Sequence, residues 1–197
     1  MSARKAKVSR TTRETSVEVN LELDRSGRAE IETGVPFFDH MLEQLARHGR
    51  LSLGVKARGD LEIDAHHTVE DVGLALGEAL HDALGDKRGI ARYGDALVPM
   101  EEALAQVALD ISGRPLLVYD AAVPAESIGQ YETVLTEEFL QAFTRAAGLT
   151  LHVSLRSGKN AHHCVEAIFK ALARALARAV TIDPRGRDDV PSTKGSL

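Results

Sequence analysis

Apolar residues in the first half of the chain follow two periods in a fixed order. Alternation of apolar and polar positions predicts strands, and apolar spacing of three and four residues predicts helices. Pro36 marks the start of one helix and Asp64 is the predicted N-cap of another, while Gly49 and Gly85 mark the ends of these helices. The predicted elements are, in order, strand 16–24, strand 28–33, helix 36–49, strand 51–57 and a helix between Asp64 and Gly85.

The second half repeats this order of elements. Thr136 and Asn160 are the predicted N-caps of its two helices, and Gly148 follows the end of the first. The predicted elements are strand 102–112, strand 116–121, a helix from Thr136 to near Gly148, strand 149–155 and a helix from Asn160 to about residue 180.

The two halves also align residue by residue. "DHMLEQLARHGRLSLGV" (39–55) lies over "EEFLQAFTRAAGLTLHV" (137–153) without a gap, and "DAHHTVE" (64–70) lies over "NAHHCVE" (160–166). The pattern predicts an α+β fold of two pseudo-symmetric ββαβα halves, produced by an internal duplication, with mixed sheets packed against helices. We place the halves at residues 1–88 and 89–185 of one compact unit, followed by a tail at 186–197.

Composition narrows the class of protein. Of the 197 residues, 44% are hydrophobic and 27% charged, which is typical of a soluble globular protein, and no apolar run reaches transmembrane length. The net charge of −5 and the 4% aromatic content give no reason to expect nucleic acid or membrane as a partner. A single cysteine suits a reducing compartment, so we expect a cytoplasmic protein.

The duplicated motif His-His-x-x-Glu carries the first candidate chemistry. In a helix, residues three and four apart share a face, so Glu70 stands beside His66 or His67, whereas adjacent rings diverge by about 100°. Adjacent histidines therefore serve two metals or two facing sites. Imidazoles and carboxylates without thiolate suit manganese, iron, cobalt or zinc. The alternative is that each motif supplies only helix capping and surface polarity, retained by descent from the duplication.

The alignment adds one further pair to this set. His40, in the preceding helix, is a good position for another ligand, and its counterpart in the second half is Glu138. A glutamate also binds metals through oxygen, so both positions are candidate ligands.

A second candidate chemistry is anion binding. Lys170 lies one helical turn beyond Glu166 and so reaches the same pocket. Arg92, Arg114 and the tail "PSTKGSL" add guanidinium, ammonium and hydroxyl donors that suit phosphate. The alternative for each of them is a solvated surface charge, or a disordered terminus for the tail.

Together these stretches resemble the imidazoleglycerol-phosphate dehydratase family. The resemblance runs from "RTTRET" (10–15) to the tail, through "FFDHMLEQLARHG", "DAHHTVEDVGLALGEAL", "RYGDALVPMEEALAQVALDISGRP" and "GKNAHHCVEAIFKALARAL". It implies an α+β fold of two similar halves, two manganese ions per active site, and a 24-subunit shell with active sites between subunits.

The resemblance also implies roles for individual residues. The metal ligands carried over are His40, His66, His67, Glu70, His162, His163 and Glu166. The phosphate contacts are Gln44, Arg92, Arg114, Lys170, Ser192 and Lys194, so the tail is expected to contribute to phosphate binding. Glu14 matches a residue that reaches the glycerol hydroxyls and takes part in proton transfer, and His48 matches another substrate contact.

Glu138 departs from the family pattern, which has a further histidine ligand there. Since the repeat sets Glu138 opposite His40, two arguments support the position although the residue type differs. Either this glutamate coordinates manganese through oxygen, or it turns away and water takes its place.

The reaction implied by the resemblance is loss of water from imidazoleglycerol phosphate, which gives imidazole-acetol phosphate in histidine biosynthesis. The metals would act as template and Lewis acids. A positioned carboxylate or histidine would take the proton, with His67 in the catalytic centre and Glu14, Glu70 and Glu166 as candidate bases. Two other classes stay open: a non-catalytic metal-binding or shell-forming protein, and a di-metal hydrolase of a phosphorylated small molecule.

Overall fold

Two four-stranded sheets and four helices form the fold in this computed structural model, which describes residues 3–25, 28–186, 189–195 and 197. The first half contains β1 (Lys5–Thr11), β2 (Thr15–Glu22), β3 (Ala29–Glu32), α1 (Pro36–Gly49), β4 (Ser52–Gly59) and α2 (His66–Leu84). The second contains β5 (Tyr93–Met100), β6 (Ala103–Asp110), β7 (Leu116–Asp120), β8 (Ser127–Ile128), β9 (Tyr131–Glu132), α3 (Leu135–Ala147), β10 (Thr150–Ser157) and α4 (Ala161–Ala179).

The two large sheets have the same topology. Their strand orders are β1-β2-β4-β3 and β5-β6-β10-β7. In each, the strand after the first helix pairs antiparallel with the second strand and parallel with the third. The prediction of an α+β fold with duplicated halves and mixed sheets is confirmed, and β8 and β9 form a small separate hairpin.

The predicted ββαβα order was one strand short in each half, because β1 and β5 precede the strands that the pattern identified. Both lie at a sheet edge. Of the β1 positions only Val8 is buried, and the buried positions of β5 carry the small residues Gly94 and Ala96 besides Val98. Such weak apolar alternation is typical of an edge strand, and Pro99 is tolerated only at an edge.

The predicted helices are confirmed, with two exceptions among the caps. Asn160 caps α4 as predicted, since its side chain accepts hydrogen bonds from the backbone N–H groups of His162 and His163. Asp64 was the wrong cap for α2: the N-cap is Ala65, and Asp64, one residue earlier, accepts a hydrogen bond from the backbone N–H of His66. Thr136 was the wrong cap for α3, since that helix begins at Leu135. The buried hydroxyl of Thr136 instead lies 3.1 Å from the Tyr131 hydroxyl.

Helix packing interlocks the halves. Each second helix covers its own sheet, α2 on β1 and β2 and α4 on β5 and β6. The first helix of each half, however, packs against the second helix of the other half, so α1 lies on α4 and α3 on α2. Within the described residues, no helix is long and apolar enough to cross a membrane.

Glycines on α2 allow the close approach of α3. A Cβ atom at Gly77 would lie 2.6 Å from the carbonyl oxygen of Phe143 and 2.7 Å from the Cβ of Ala146. A Cβ at Gly73 would lie 2.9 Å from the carbonyl oxygen of Phe139. Since the neighbours include backbone atoms, only glycine fits this crossing without displacing α3.

We expect Gly77→Ala to lower the free energy of unfolding by about 1–3 kcal/mol through overpacking. Alanine is the better helix former, so a loss of stability must arise from the contact with α3. Chemical denaturation at matched protein concentration measures the change. Gly186→Ala is the control, because a Cβ there meets no atom within 4 Å. Equal stability of Gly77→Ala and the wild type would contradict the close crossing.

Candidate active site

Three predicted metal ligands converge where α1 crosses α4. Nε2 of His162 lies 3.0 Å and Nε2 of His40 3.6 Å from Oε2 of Glu166. One ligand atom from each residue lies within 4.8 Å of the others. Glu166 is buried and both imidazoles are half-buried, so the nitrogen and oxygen donors face one shared space. Two imidazoles and a carboxylate suit a borderline-to-hard divalent cation.

Lys170 lies in the same cluster, as its spacing predicted. Its Nζ lies 2.7 Å from Oε1 of Glu166. Burial alone would raise the pKa of Glu166, but the hydrogen bond and charge of Lys170, with His162 and His40, hold that pKa below its ordinary value of 4.5. Glu166 is therefore ionised at neutral pH and available to a cation.

The second histidine of each motif points elsewhere. In each motif the two adjacent rings are 6.0–6.2 Å apart and close to perpendicular, as helical geometry predicts. Nδ1 of His67 lies 3.0 Å from Oδ2 of Asp60, and its Nε2 lies 3.9 Å from Oε2 of Glu14. The hydrogen bond to Asp60 is the main reason that the pKa of His67 is raised.

His163 has an equivalent arrangement. Its Nδ1 lies 2.8 Å from Oε2 of Glu102, whose Oε1 accepts hydrogen bonds from the backbone N–H groups of Lys159 and Asn160. The bond from His163, followed by these backbone bonds, lowers the pKa of Glu102 to about 2. Sequence reasoning missed both Asp60 and Glu102, although the alignment, extended to the hairpins, pairs Glu102 with Glu14.

The first motif does not form a matching three-residue cluster. Oε1 of Glu70 lies 3.7 Å from a guanidinium nitrogen of Arg145 on α3. Half-buried Glu138 also lies on α3, which packs on α2 as α1 packs on α4. Among the described residues, only His40, His162 and Glu166 bring three donors together. His66, Glu70 and Glu138 therefore stay predicted ligands.

The predicted phosphate contacts fall into two groups. Nε of Arg92 lies 2.7 Å from Asp110, and its Nη1 donates to the carbonyl oxygen of Pro191 in the tail. Arg114 also reaches Asp110, at 3.9 Å. The backbone N–H of Lys194 bonds to the Ser192 hydroxyl. Residues 187, 188 and 196 of the predicted tail lie outside the described residues.

Lys170 belongs to the other group, at the far end of β5. Its Nζ lies 3.3 Å from the sulfur of Met100, the last residue of β5, whereas Arg92 directly precedes the first. Eight residues of strand separate them by about 23 Å. One chain therefore does not bring Arg92 and Lys170 to the same phosphate.

Gln44 and His48 lie on the Lys170 side. Nε2 of His48 lies 3.1 Å from Oε1 of Gln44. Burial, and then the positive charges of Lys170 and Arg174, lower the pKa of His48. His48 is thus neutral at physiological pH, in a surrounding that favours anions.

Replacing Lys170 tests the electrostatics of the cluster. Because the folded pKa of Glu166 is below the unfolded value, its stabilisation is present above about pH 4.5 and lost as the pH falls through the folded pKa. In Lys170→Met the folded pKa of Glu166 rises, because burial opposes ionisation and the lysine no longer offsets it. The variant should therefore be less stable than wild type near pH 7, and it should lose less stability than wild type, or gain some, as the pH falls. Thermal midpoints of metal-free protein between about pH 3 and 7 measure this. Lys159→Met, at an exposed side chain, is the control, and matching acid profiles for Lys170→Met and wild type would disprove the coupling.

Comparisons with known proteins agree on one family. The family model of imidazoleglycerol-phosphate dehydratase matches residues 33–176. The imidazoleglycerol-phosphate dehydratase of Symbiobacterium thermophilum is 57% identical over 197 residues, covering 100% of this chain and 94% of the relative. That of Methylorubrum extorquens is 57% identical over 194 residues, covering 98% of this chain and 100% of the relative.

Solved structures give the same result. The crystal structure of imidazoleglycerol-phosphate dehydratase from Staphylococcus aureus has a TM-score of 0.83 and 40% identity, covering 91% of this chain and 99% of that chain. The structure from Pyrococcus furiosus has a TM-score of 0.83 and 36% identity, covering 96% and 100%. This chain therefore belongs to the imidazoleglycerol-phosphate dehydratase family, a family of hydro-lyases.

Proposed function

We propose that this protein dehydrates D-erythro-imidazoleglycerol phosphate to imidazole-acetol phosphate with manganese as cofactor. The observation that carries the proposal is the meeting of His40, His162 and Glu166 beside Lys170. This supports a cation site beside a phosphate contact. A substrate with an imidazole at one end and a phosphate at the other needs both a cation site and a phosphate contact.

The donor set fits a manganese ion. Bound manganese would supply a Lewis acid that holds the imidazole ring of the substrate and favours loss of the hydroxyl on the adjoining carbon. The full proposed ligand set is that of the resemblance with Glu138 added, two ions being shared among His40, His66, His67, Glu70, Glu138, His162, His163 and Glu166. Glu138 would coordinate through oxygen where relatives use histidine.

The carboxylates differ in their freedom to act as base. Glu166 is held by Lys170 and His162, and Glu70 lies beside Arg145. Glu14 is exposed, and its carboxylate lies 3.9 Å from Nε2 of His67. We therefore assign proton transfer to Glu14, which would act on the carbon next to the departing hydroxyl.

Association of subunits would complete the phosphate site. Because β5 separates Arg92 from Lys170 within one chain, the tail side of one copy must meet the Lys170 side of another. Arg92, Arg114, Ser192 and Lys194 would then contact the phosphate held by Lys170 and Gln44, with His48 near the substrate. This supports active sites between subunits, and a 24-subunit shell is the assembly that the family resemblance implies.

The decisive experiment measures turnover of imidazoleglycerol phosphate by metal-stripped protein with and without manganese. We expect product only with manganese, and no release of inorganic phosphate. Release of phosphate without the ketone product would favour a hydrolase. Manganese binding without either product would favour a protein that only binds metal.

Two substitutions should separate metal binding from phosphate binding. At saturating manganese, Lys170→Ala should raise KM by about tenfold or more, because a charge-assisted contact to phosphate is lost. His67→Ala should abolish turnover and reduce bound manganese. Steady-state kinetics and metal analysis measure both, with Lys159→Ala as the matched lysine control. An unchanged KM in Lys170→Ala would contradict its phosphate role.

A further inference from the structure

The carboxylates bonded to His67 and His163 come from different places in the two halves. Asp60 directly follows β4, whereas Glu102 directly precedes β6. Both bind Nδ1 of the histidine, at 3.0 Å and 2.8 Å. The duplication therefore preserves the histidine–carboxylate contact but not the residue that makes it.

Strand register identifies the counterpart of each carboxylate. β2 and β6 each contain eight residues and pair antiparallel with β4 and β10, which also contain eight each. Glu14 precedes β2 as Glu102 precedes β6, so these glutamates are equivalent. Because β10 contains a bulge between Leu155 and Ser157, Gly158 is equivalent to Gly59, and Asp60 is equivalent to Lys159.

The second half has no acid at the position of Asp60, because Lys159 stands there. The second half must therefore hold His163 with the hairpin glutamate. In the first half Asp60 makes that contact, and Glu14 is left exposed at 3.9 Å from the opposite nitrogen of His67.

The surroundings of Asp60 indicate that it serves the histidine. Its side chain is largely buried, and its Oδ1 has no hydrogen-bond partner within the described part of the chain. A buried carboxylate is costly without a strong partner, and the bond to Nδ1 of His67 is that partner. Since an ionised carboxylate only accepts, Nδ1 carries the proton and Nε2 presents its lone pair outward.

We propose that Asp60 and Glu102 are positioning residues that fix the ring orientation and tautomer of His67 and His163, and that Asp60 thereby frees Glu14 for the substrate. This inference rests on the proposed function, in which both histidines are metal ligands. It assigns different tasks to two glutamates that the duplication made equivalent.

The test measures manganese dissociation constants on metal-stripped protein, for example from the electron paramagnetic resonance of free manganese. Asp60→Ala and Glu102→Ala should each weaken binding by about 10- to 100-fold, the usual effect of losing such a partner. Asp60→Asn and Glu102→Gln should lose less, because the amide oxygen still accepts from Nδ1–H. Glu62→Gln and Glu101→Gln, at exposed neighbouring acids, are the matched controls and should bind like wild type.

Glu14→Gln distinguishes the two tasks. It should bind manganese as tightly as wild type and lose kcat, while the Asp60 variants lose manganese affinity first. Failure of the wild type to bind manganese would refute the proposed function itself. Wild-type binding with unchanged affinity in folded Asp60 and Glu102 variants would overturn only the positioning role. Should Asp60→Ala fail to fold, Asp60→Asn gives the same comparison. Equal affinity loss in Glu14→Gln would overturn the division of roles.

Discussion

Packing of the first helix of each half against the second helix of the other half is the interaction on which the site depends. Phe139 on α3 lies at its centre, with its ring 5.3 Å from that of Phe38 on α1 and 5.4 Å from that of Phe169 on α4. All three are fully buried, and the loss of such a ring costs about 3–5 kcal/mol. This aromatic centre fixes α1 on α4, and only that crossing brings His40 to Glu166.

The centre also shows why a duplicated sequence does not give identical halves. The counterpart of Phe169 is Gly73, and a Cβ at Gly73 would meet the backbone and ring of Phe139. Phe139 therefore packs against a large side chain on α4 and against a position without a side chain on α2. At the site, Lys170 lies beside Glu166, while the counterpart of Lys170 is Leu74 and Glu70 meets Arg145 instead. The basic side chain next to the motif glutamate thus comes from a different helix in each half: a lysine of α4 in the second half and an arginine of α3 in the first.

The sequence predicted the parts of the fold that depend on residues close together along the chain. The helix ends at Gly85 and Gly148 follow from glycine at the C-terminal cap, and the contact of Lys170 with Glu166 follows from one helical turn. In α1 the left-handed cap is Arg50, one residue after Gly49. Edge strands β1 and β5 escaped prediction because half of their positions face solvent and the others carry small or few apolar residues. Asp60 escaped because its partner lies on another element, and no periodic pattern encodes a contact that tertiary packing creates.

The fold places its two groups of basic residues where they cannot cooperate within one chain. Arg92 is fixed at the start of β5 by Asp110 and the tail carbonyl of Pro191, and Lys170 is fixed at the other end by Glu166 and Met100. Because β5 is paired with β6 along its whole length, it cannot shorten or fold back to unite them. A phosphate that needs both groups must therefore lie between two copies. Under the proposed function, association of subunits would then follow from the geometry of a single strand, and the tail of one copy would contribute to the site of another.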